Sequence, residues 1–340
     1  MAKKTILVTG GTGYIGSHTV VELLQAGFDT VIADDLSNSS EQVVDCIERI
    51  AGRRPAFERI DLKDARRTQD LFTRYPIDAT IHFAASKAVG ESVREPLTYY
   101  RNNLMCLINV LESIRTQGGG PLVFSSSCTV YGQPDHPPVR ETDPVKPALS
   151  PYGNTKQICE QIIRDTINAC PQIRAILLRY FNPIGAHPSA LIGELPLGVP
   201  QNLMPYITQT AAGIRDSLSV FGDDYDTPDG TCVRDYLHVV DLARAHVKAV
   251  NRLLQDSPDD PCEVFNLGTG RGYSVLDVIR SFEKTTGVKL NYRIAPRRAG
   301  DIEQIWADPS LAEQALGWKA ELSLDEMTLS AWRWQQALKQ

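Results

Sequence analysis

Thr5-Ile-Leu-Val8 is a short apolar run with β-branched members that leads straight into Gly10, Gly13 and Gly16, spaced G-x-x-G-x-x-G, and then into a helix-compatible stretch ending at Gln25-Ala-Gly27. The run is long enough for a buried strand and too short for a helix. Three glycines at this spacing allow a tight strand-to-helix turn, close approach of the backbone to a pyrophosphate, and close helix–sheet packing. The helix N-terminus that follows offers unpaired N–H groups and a positive dipole end to phosphate. Gly27 reads as the helix stop and Thr30–Ala33 as a second strand, ending in Asp34-Asp35 about twenty residues past the glycines. A carboxylate there accepts from both ribose hydroxyls and repels a 2′-phosphate, so the unit is expected to bind NAD rather than NADP.

Strands and helices alternate through residue 182. Further strands are expected at Ala56–Ile60, Ala79–Phe83, Leu122–Phe124 and Ile176–Leu178, with helices at Leu97–Thr116 and Gln157–Ala169. Such alternation predicts an α/β fold of Rossmann type, a doubly wound parallel sheet with helices on both faces. Ligands of such a sheet sit beyond the carboxyl ends of its strands, where Gly10, Asp34, Asp61, Ala84 and Ser127 all fall. After Asn182 the chain turns rich in Pro, Gly, Asn and Asp, and its apolar content points to an ordered, smaller, mixed α/β C-terminal domain that covers the substrate. The expected division is 1–182 for the dinucleotide domain, with segments of about 236–267 returning to it, and 183–340 for the substrate domain. A length of 340 residues suits two domains. Ser274-Val-Leu-Asp277 has the form of a capping box that opens a helix to Thr286.

Tyr152-Gly-Asn-Thr-Lys156 sets a phenol and an ammonium one helical turn apart, twenty-five residues after Ser125-Ser-Ser127. Positions i and i+4 share a face, and a cation beside a tyrosine stabilises its phenolate and makes it a usable acid/base at neutral pH. Other function classes find little support. A formal charge of −6 without a basic cluster argues against nucleic acid. No stretch approaches the length of a membrane span, and Met1-Ala-Lys-Lys4 before a four-residue apolar run does not read as a signal peptide. Seven cysteines without a C-x-x-C pair read as core residues in a reducing cytoplasm, and the six histidines lack metal spacing, so no metal is expected. His82 reads as a satisfied buried histidine.

The segments Gly10–Gly16, Ser125-Ser-Ser-Cys-Thr-Val-Tyr-Gly132 and Tyr152-x-x-x-Lys156 resemble the extended short-chain dehydrogenase/reductase superfamily. Within it, Lys87–Ser92, Arg179–Pro183, Asn202–Pro205, Gly230–Tyr236 and Ala295–Asp301 resemble the UDP-glucose 4-epimerase family, over nearly the whole chain. The resemblance implies interconversion of UDP-glucose and UDP-galactose in galactose metabolism, by transient oxidation at sugar C4 with tightly held NAD. It also implies a homodimer through the two long helices, which carry Ile158, Ile162, Ile163 and Ile167.

By the same resemblance Tyr152 is the acid/base on the 4-hydroxyl, Ser127 bonds that oxygen and relays the proton, and Lys156 holds the nicotinamide ribose. The glycines, Tyr14, Ile15, Asp34, Asp35, Asn38, Asp61, Leu62, Phe83, Ala84, Lys87, Asn102 and Phe181 face NAD. Asn182, Asn202, Leu203, Phe221, Arg234, Arg298, Asp301 and Ile305 face the UDP-sugar, together with Ser127. Arg234 and Arg298 suit bidentate pyrophosphate contacts, with salt bridges to Asp235 and Asp301 as the alternative. Phe221 alone does not distinguish uracil stacking from packing. Ile305 stands where glucose-only members often carry tyrosine and members accepting N-acetylated sugars a smaller residue, which leaves UDP-GlcNAc open. Two other readings are a dehydratase or related nucleotide-sugar enzyme, and a non-catalytic NAD-binding module. The first would want an Asp-Glu pair where Cys128-Thr129 stand. The second needs no Ser127, Tyr152 and Lys156 together.

Overall fold

The computed structural model describes residues 3–255, 260–298 and 301–338. Ala299 and Gly300, within the 295–301 segment, lie outside the described residues. In chain order the first half runs β1 (Thr5–Thr9), α1 (Tyr14–Gln25), β2 (Asp29–Asp34), α2 (Gln42–Ala51), β3 (Ala56–Arg59), α3 (Ala65–Arg74), β4 (Ala79–His82), α4 (Val89–Arg94), α5 (Pro96–Thr116), β5 (Gly120–Ser127), α6 (Pro151–Ala169) and β6 (Ile173–Tyr180). The second half runs β7 (Asn182–Ile184), α7 (Leu203–Ala211), β8 (Leu218–Phe221), β9 (Val233–His238), α8 (Val239–Gln255), β10 (Cys262–Leu267), β11 (Gly272–Ser274), α9 (Val275–Thr286), β12 (Tyr292–Ala295), β13 (Gln304–Ile305), α10 (Ser310–Leu316) and α11 (Leu324–Ala337).

Seven strands form one sheet in the order β10-β6-β5-β4-β1-β2-β3, every pairing parallel. Strand order reverses between β1 and β4, and the expected doubly wound α/β sheet is therefore present, with a crevice at that switch point. On α8 the buried Leu242, Ala245, Ala249, Val250 and Leu253 recur at helical spacing and meet Val20, Leu23 and Leu24 of α1 on one face of the sheet. Leu107, Val110, Leu111 and Ile114 of α5 and Cys159, Ile163 and Ile167 of α6 cover the other face. Each Val, Leu or Ile among them contributes roughly 1.5–3 kcal/mol by leaving water.

Residues 236–238 depart from the expected return to this sheet. They belong to β9, which pairs with β7, β11 and β13 in a smaller mixed sheet, while α8 and β10 rejoin the large one. The reason is connectivity: β7 leaves β6 after a single residue and offers β9 a parallel partner, in register Asn182↔Tyr236. A two-stranded sheet of β8 and β12 and a core of Met204, Ile207, Val278, Phe282 and Met327 complete this second body.

Candidate active site

Gly10 closes the gap between the carboxyl ends of β1 and β4. Its φ is +69°, and a β-carbon there would lie 2.9 Å from the Ala84 nitrogen. A β-carbon at Gly16 would fall 2.2 Å from the Gly10 carbonyl oxygen, so any larger residue breaks the turn. No side chain caps α1 at Gly13, which leaves first-turn N–H groups for an anion. Asp34, at the end of β2, accepts from the amides of Thr12 (3.1 Å) and Leu36 (2.9 Å) and from Ser39 Oγ (3.3 Å). Its carboxylate is thereby fixed beside the glycine turn with acceptor capacity to spare. A backbone cradle that a β-carbon would fill, next to an oriented carboxylate, fits a dinucleotide.

The other residues assigned to the cofactor have varied surroundings. Asp61 pairs with Lys63 at 3.0 Å, and the Lys63 ammonium also donates to Asn102 Oδ1 at 3.0 Å. Burial pushes the Asp61 carboxyl up, but the Lys63 amide and ammonium outweigh it and hold it below its ordinary value. Leu62 is buried in the core and Phe83 rests on His246, ring centroids 4.7 Å apart. Tyr14 donates to the Gly185 carbonyl at 2.7 Å, and Ile15 packs on the core. Asp35 accepts from the Ser37 amide at 2.9 Å, on a turn where Leu36 has φ +63° and Asn38 is exposed. Phe181 is buried in one cluster with Ile305.

Ser127, Tyr152 and Lys156 converge where β5 ends against the first turns of α6. Ser150 caps that helix through the Gly153 amide at 3.1 Å, which starts it at Pro151 and turns Tyr152 and Lys156 toward the strand. Lys156 donates to the Ser125 carbonyl at 2.6 Å and stands 5.9 Å from the Tyr152 ring centroid. Burial lowers its pKa to about 8. Desolvation raises the Tyr152 phenol to about 12, with Ser127's hydroxyl pulling the other way. Lys156 gives one of its three N–H donors to the Ser125 carbonyl, and burial rather than that ammonium dominates the phenol here. His82, buried, shares a 2.8 Å hydrogen bond with Thr9 Oγ1 and is held neutral by burial, its pKa about 3.

Apart from Ser127, the residues assigned to the substrate follow β6 in the chain and belong to the second body. Arg234 donates to the carbonyls of Val233 (2.8 Å) and Glu303 (3.3 Å). Asp235, the partner considered for it, is instead buried and accepts from Thr269, Gly270 and Ala307 amides and the Thr269 hydroxyl. The Arg298 fork faces Asp301, with contacts of 2.7, 3.1 and 3.2 Å, and its guanidinium sits 5.7 Å from the exposed Phe221 ring. Asn182 opens β7, Leu203 opens α7, and Asn202 donates to Glu194 at 2.6 Å. Ile305 pairs with Arg234 in register and is sealed among Val130, Tyr131 and Phe181, with 1% of its surface exposed.

Several residues of the site escaped the sequence reading. Glu194 joins Asn202 to Lys87 (3.3 Å) and sits in an irregular stretch with no local signal. Asn103 holds the Ser86 amide and carbonyl and the Thr155 hydroxyl, tying the loop before Lys87 to α5 and α6. A polar residue on the apolar face of Leu97–Thr116 was the available clue. Among the described residues no cluster of three or more His, Cys, Asp or Glu is placed to hold a metal, and no helix is long and apolar enough to cross a membrane.

A protein-family profile described as GDP-mannose 4,6 dehydratase matches residues 7–330. The chain is 50% identical over 336 residues to the UDP-glucose 4-epimerase of Mus musculus, covering 97% of this chain and 96% of that one. It is 51% identical over 330 residues to that of Bacillus subtilis, covering 97% and 96%. Among solved structures, a UDP-glucose-4-epimerase from Stenotrophomonas maltophila with bound NAD and formylated UDP-arabinopyranose superposes with a TM-score of 0.95, at 50% identity and 99% coverage of both chains. One from Bifidobacterium longum in complex with NAD+ and UDP gives 0.94, at 46% identity and 98% coverage of both.

Proposed function

Because the chain belongs to the UDP-glucose 4-epimerase family of the extended short-chain dehydrogenases/reductases, we propose that its crevice interconverts UDP-glucose and UDP-galactose with NAD as resident cofactor. The observation that carries this is the convergence of Ser127, Tyr152 and Lys156 at the same carboxyl end of the sheet as the Gly10–Gly16 cradle and Asp34. Bound NAD would supply the acceptor and returning donor of the C4 hydride and a positive charge beside the phenol. Tyr152 takes the proton of the 4-hydroxyl and gives it back, Ser127 bonds that oxygen, and Lys156 orients the ribose. Gly10, Gly13 and Gly16 hold the diphosphate and Asp34 the ribose; Arg234 and Arg298 hold the UDP diphosphate once Arg298 exchanges Asp301 for it. Residues 1–182 with α8 and β10 form the cofactor domain, and the remainder of 183–340 binds UDP-sugar. Cys128-Thr129 at the strand end supply no acid/base pair for a dehydratase, since burial raises the Cys128 thiol to about 12.

Turnover of UDP-galactose by purified protein, with NAD in its denatured extract, tests the reading. Protein that lacks dinucleotide and leaves UDP-galactose unchanged even with added NAD rules it out.

The homodimer belongs to the same proposal. Ile163 and Ile167 face the core, so the surface that supports it consists of exposed Leu97 and Met105 on α5 and half-buried Ile158 and Ile162 on α6. A two-fold axis would cover both helices with their copies. Sedimentation at micromolar protein should show a dimer, and a monomer alone removes the claim. A reducing, cytoplasmic compartment is supported by seven free thiols, four of them buried, and a place in galactose metabolism by the proposed reaction alone.

A further inference from the structure

One face of α6 carries half-buried Tyr152, then Lys156 and Glu160, both buried, each one turn on from the last. Its carboxylate accepts from Ser126 Oγ at 2.5 Å and from both arms of Arg179 on β6, at 2.9 Å to Oε1 and 2.6 Å to Oε2. Glu160 and Arg179 are 5% and 4% exposed, between α6 and the sheet. Arg179 also donates to Tyr131 Oη at 3.1 Å, and Tyr131 donates to Asn266 Oδ1 on β10 at 2.7 Å. Replacing such a pair by apolar residues is often neutral or stabilising, so stability alone does not account for it. What it does is pin α6 in rotation and height against three consecutive serines. Tyr152 meets Ser127, Lys156 meets the Ser125 carbonyl, and Glu160 meets Ser126.

The electrostatic surroundings point the same way. The groups facing Lys156 and Tyr152 are His82 from β4, Tyr99 from α5, Tyr180 from β6, Cys159 on α6 itself and Cys128 after β5. Burial keeps that histidine unprotonated and these thiols and phenols protonated near neutral pH, so all are uncharged. Farther out, Glu91 bonds Tyr99, while Glu141 and Cys262 face the Arg179 end of the pair. Arg234 and Asp235 reach Cys128 from β9, and Glu160 and Arg179 form a buried ion pair one turn beyond Lys156 whose charges sum to zero.

On the epimerase reading above, we propose that Glu160 and Arg179 are positioning residues: their buried pair fixes α6 so that Tyr152 and Lys156 meet the serine run, and its neutrality sets the field in which those two titrate.

Full-length protein with its cofactor is compared with Glu160→Gln, Arg179→Met and the double variant. Two quantities are read: the pH dependence of kcat on UDP-galactose, and the titration of Lys156 Cε by NMR in carbon-13 lysine protein, assigned with Lys156→Arg. An unpaired guanidinium should move the Lys156 titration down by about half a pH unit in Glu160→Gln, and an unpaired carboxylate should move it up as far in Arg179→Met. In both, kcat should fall about tenfold with KM within about twofold. The double variant should recover the wild-type titration but not kcat. Single variants whose titration stays in place, or a double variant with wild-type kcat, overturn the proposal. Where a single variant does not fold, the double decides. A wild type that fails on UDP-galactose defeats the functional reading alone, since the NMR titration needs no substrate.

Discussion

Tyr152 presents a phenol raised to about 12, so its hydroxyl is a held proton site rather than a free base, and its removal should isolate proton transfer from binding. Tyr152→Phe should lower kcat by about 10²–10⁴ while NAD content and KM for UDP-galactose stay close to wild type. Near-normal turnover by that variant would remove Tyr152 from the chemistry. Ile305 poses a different question, because its side chain is sealed in a small cluster with Val130, Tyr131 and Phe181. An N-acetyl group needs both room and a polar partner, and a missing partner costs about 1–3 kcal/mol. UDP-glucose and UDP-galactose are accordingly the expected principal pair. Ile305→Ser should raise the kcat/KM ratio of UDP-GlcNAc to UDP-galactose by opening space behind the sugar. Ile305→Tyr must force a ring into a filled site, costing about 1–3 kcal/mol in stability, and should leave no activity on the acetylated sugar. A ratio identical in all three proteins would make Ile305 plain core.

Among the elements, α9 shows why some of this architecture was legible and some was not. Ser274 accepts from the Asp277 amide at 2.9 Å and Asp277 accepts from the Ser274 amide at 3.0 Å, the reciprocal cap expected from four contiguous residues. Ser274→Ala should cost about 1–2 kcal/mol in urea unfolding, at the upper end because the same hydroxyl also holds Asp229 at 2.6 Å. A loss near zero would mean that the cap is redundant. The same local logic made the glycine turn, the strand ends and the order of elements readable through β6. It failed for β7, β11 and β13, which are two or three residues long, and for the six-residue β9, all defined by partners far away in sequence, such as Arg234 with Ile305. Glu160 was likewise hidden: without Arg179 across from it, a glutamate on a helix reads as a solvated side chain. Arg298 and Asp301 were named for the substrate, yet their three-residue spacing is also that of the ion pair they form.

At the scale of the whole molecule, the buried titratable groups set limits on the pH range of stability, and their signs can be worked through. Burial lowers His18 and His82 from 6.5 to about 3, and His238 and His246 to about 4. A depressed folded pKa contributes stability that is present above 6.5 and lost as pH falls toward the folded value, so unfolding at pH 5.5 takes up protons. Asp235, raised by burial from 3.8 to about 6, opposes this below that pH, as do Glu22, Glu141 and Asp241, also raised by burial. The alkaline side is less evenly matched. Burial raises Cys106 and Cys128 from 9.0 to about 12, and Cys159 and Cys262 to about 11. Stability from a raised pKa is complete below 9.0 and drains as pH climbs toward the folded values, at about 1.4 kcal/mol per pH unit for each group. Lys156, lowered from 10.5 to about 8, acts in the opposite sense between those values, one group against four. The urea midpoint should therefore be highest between about pH 7 and 8.5 and fall steeply by pH 10, with protons released to the buffer on unfolding there. Midpoints measured at pH 8, 9 and 10, paired with calorimetry in two buffers of different ionisation enthalpy, check both the slope and the direction of proton flow. A midpoint that holds level through pH 10, or proton uptake at that pH, would mean that the thiols ionise without opening the fold.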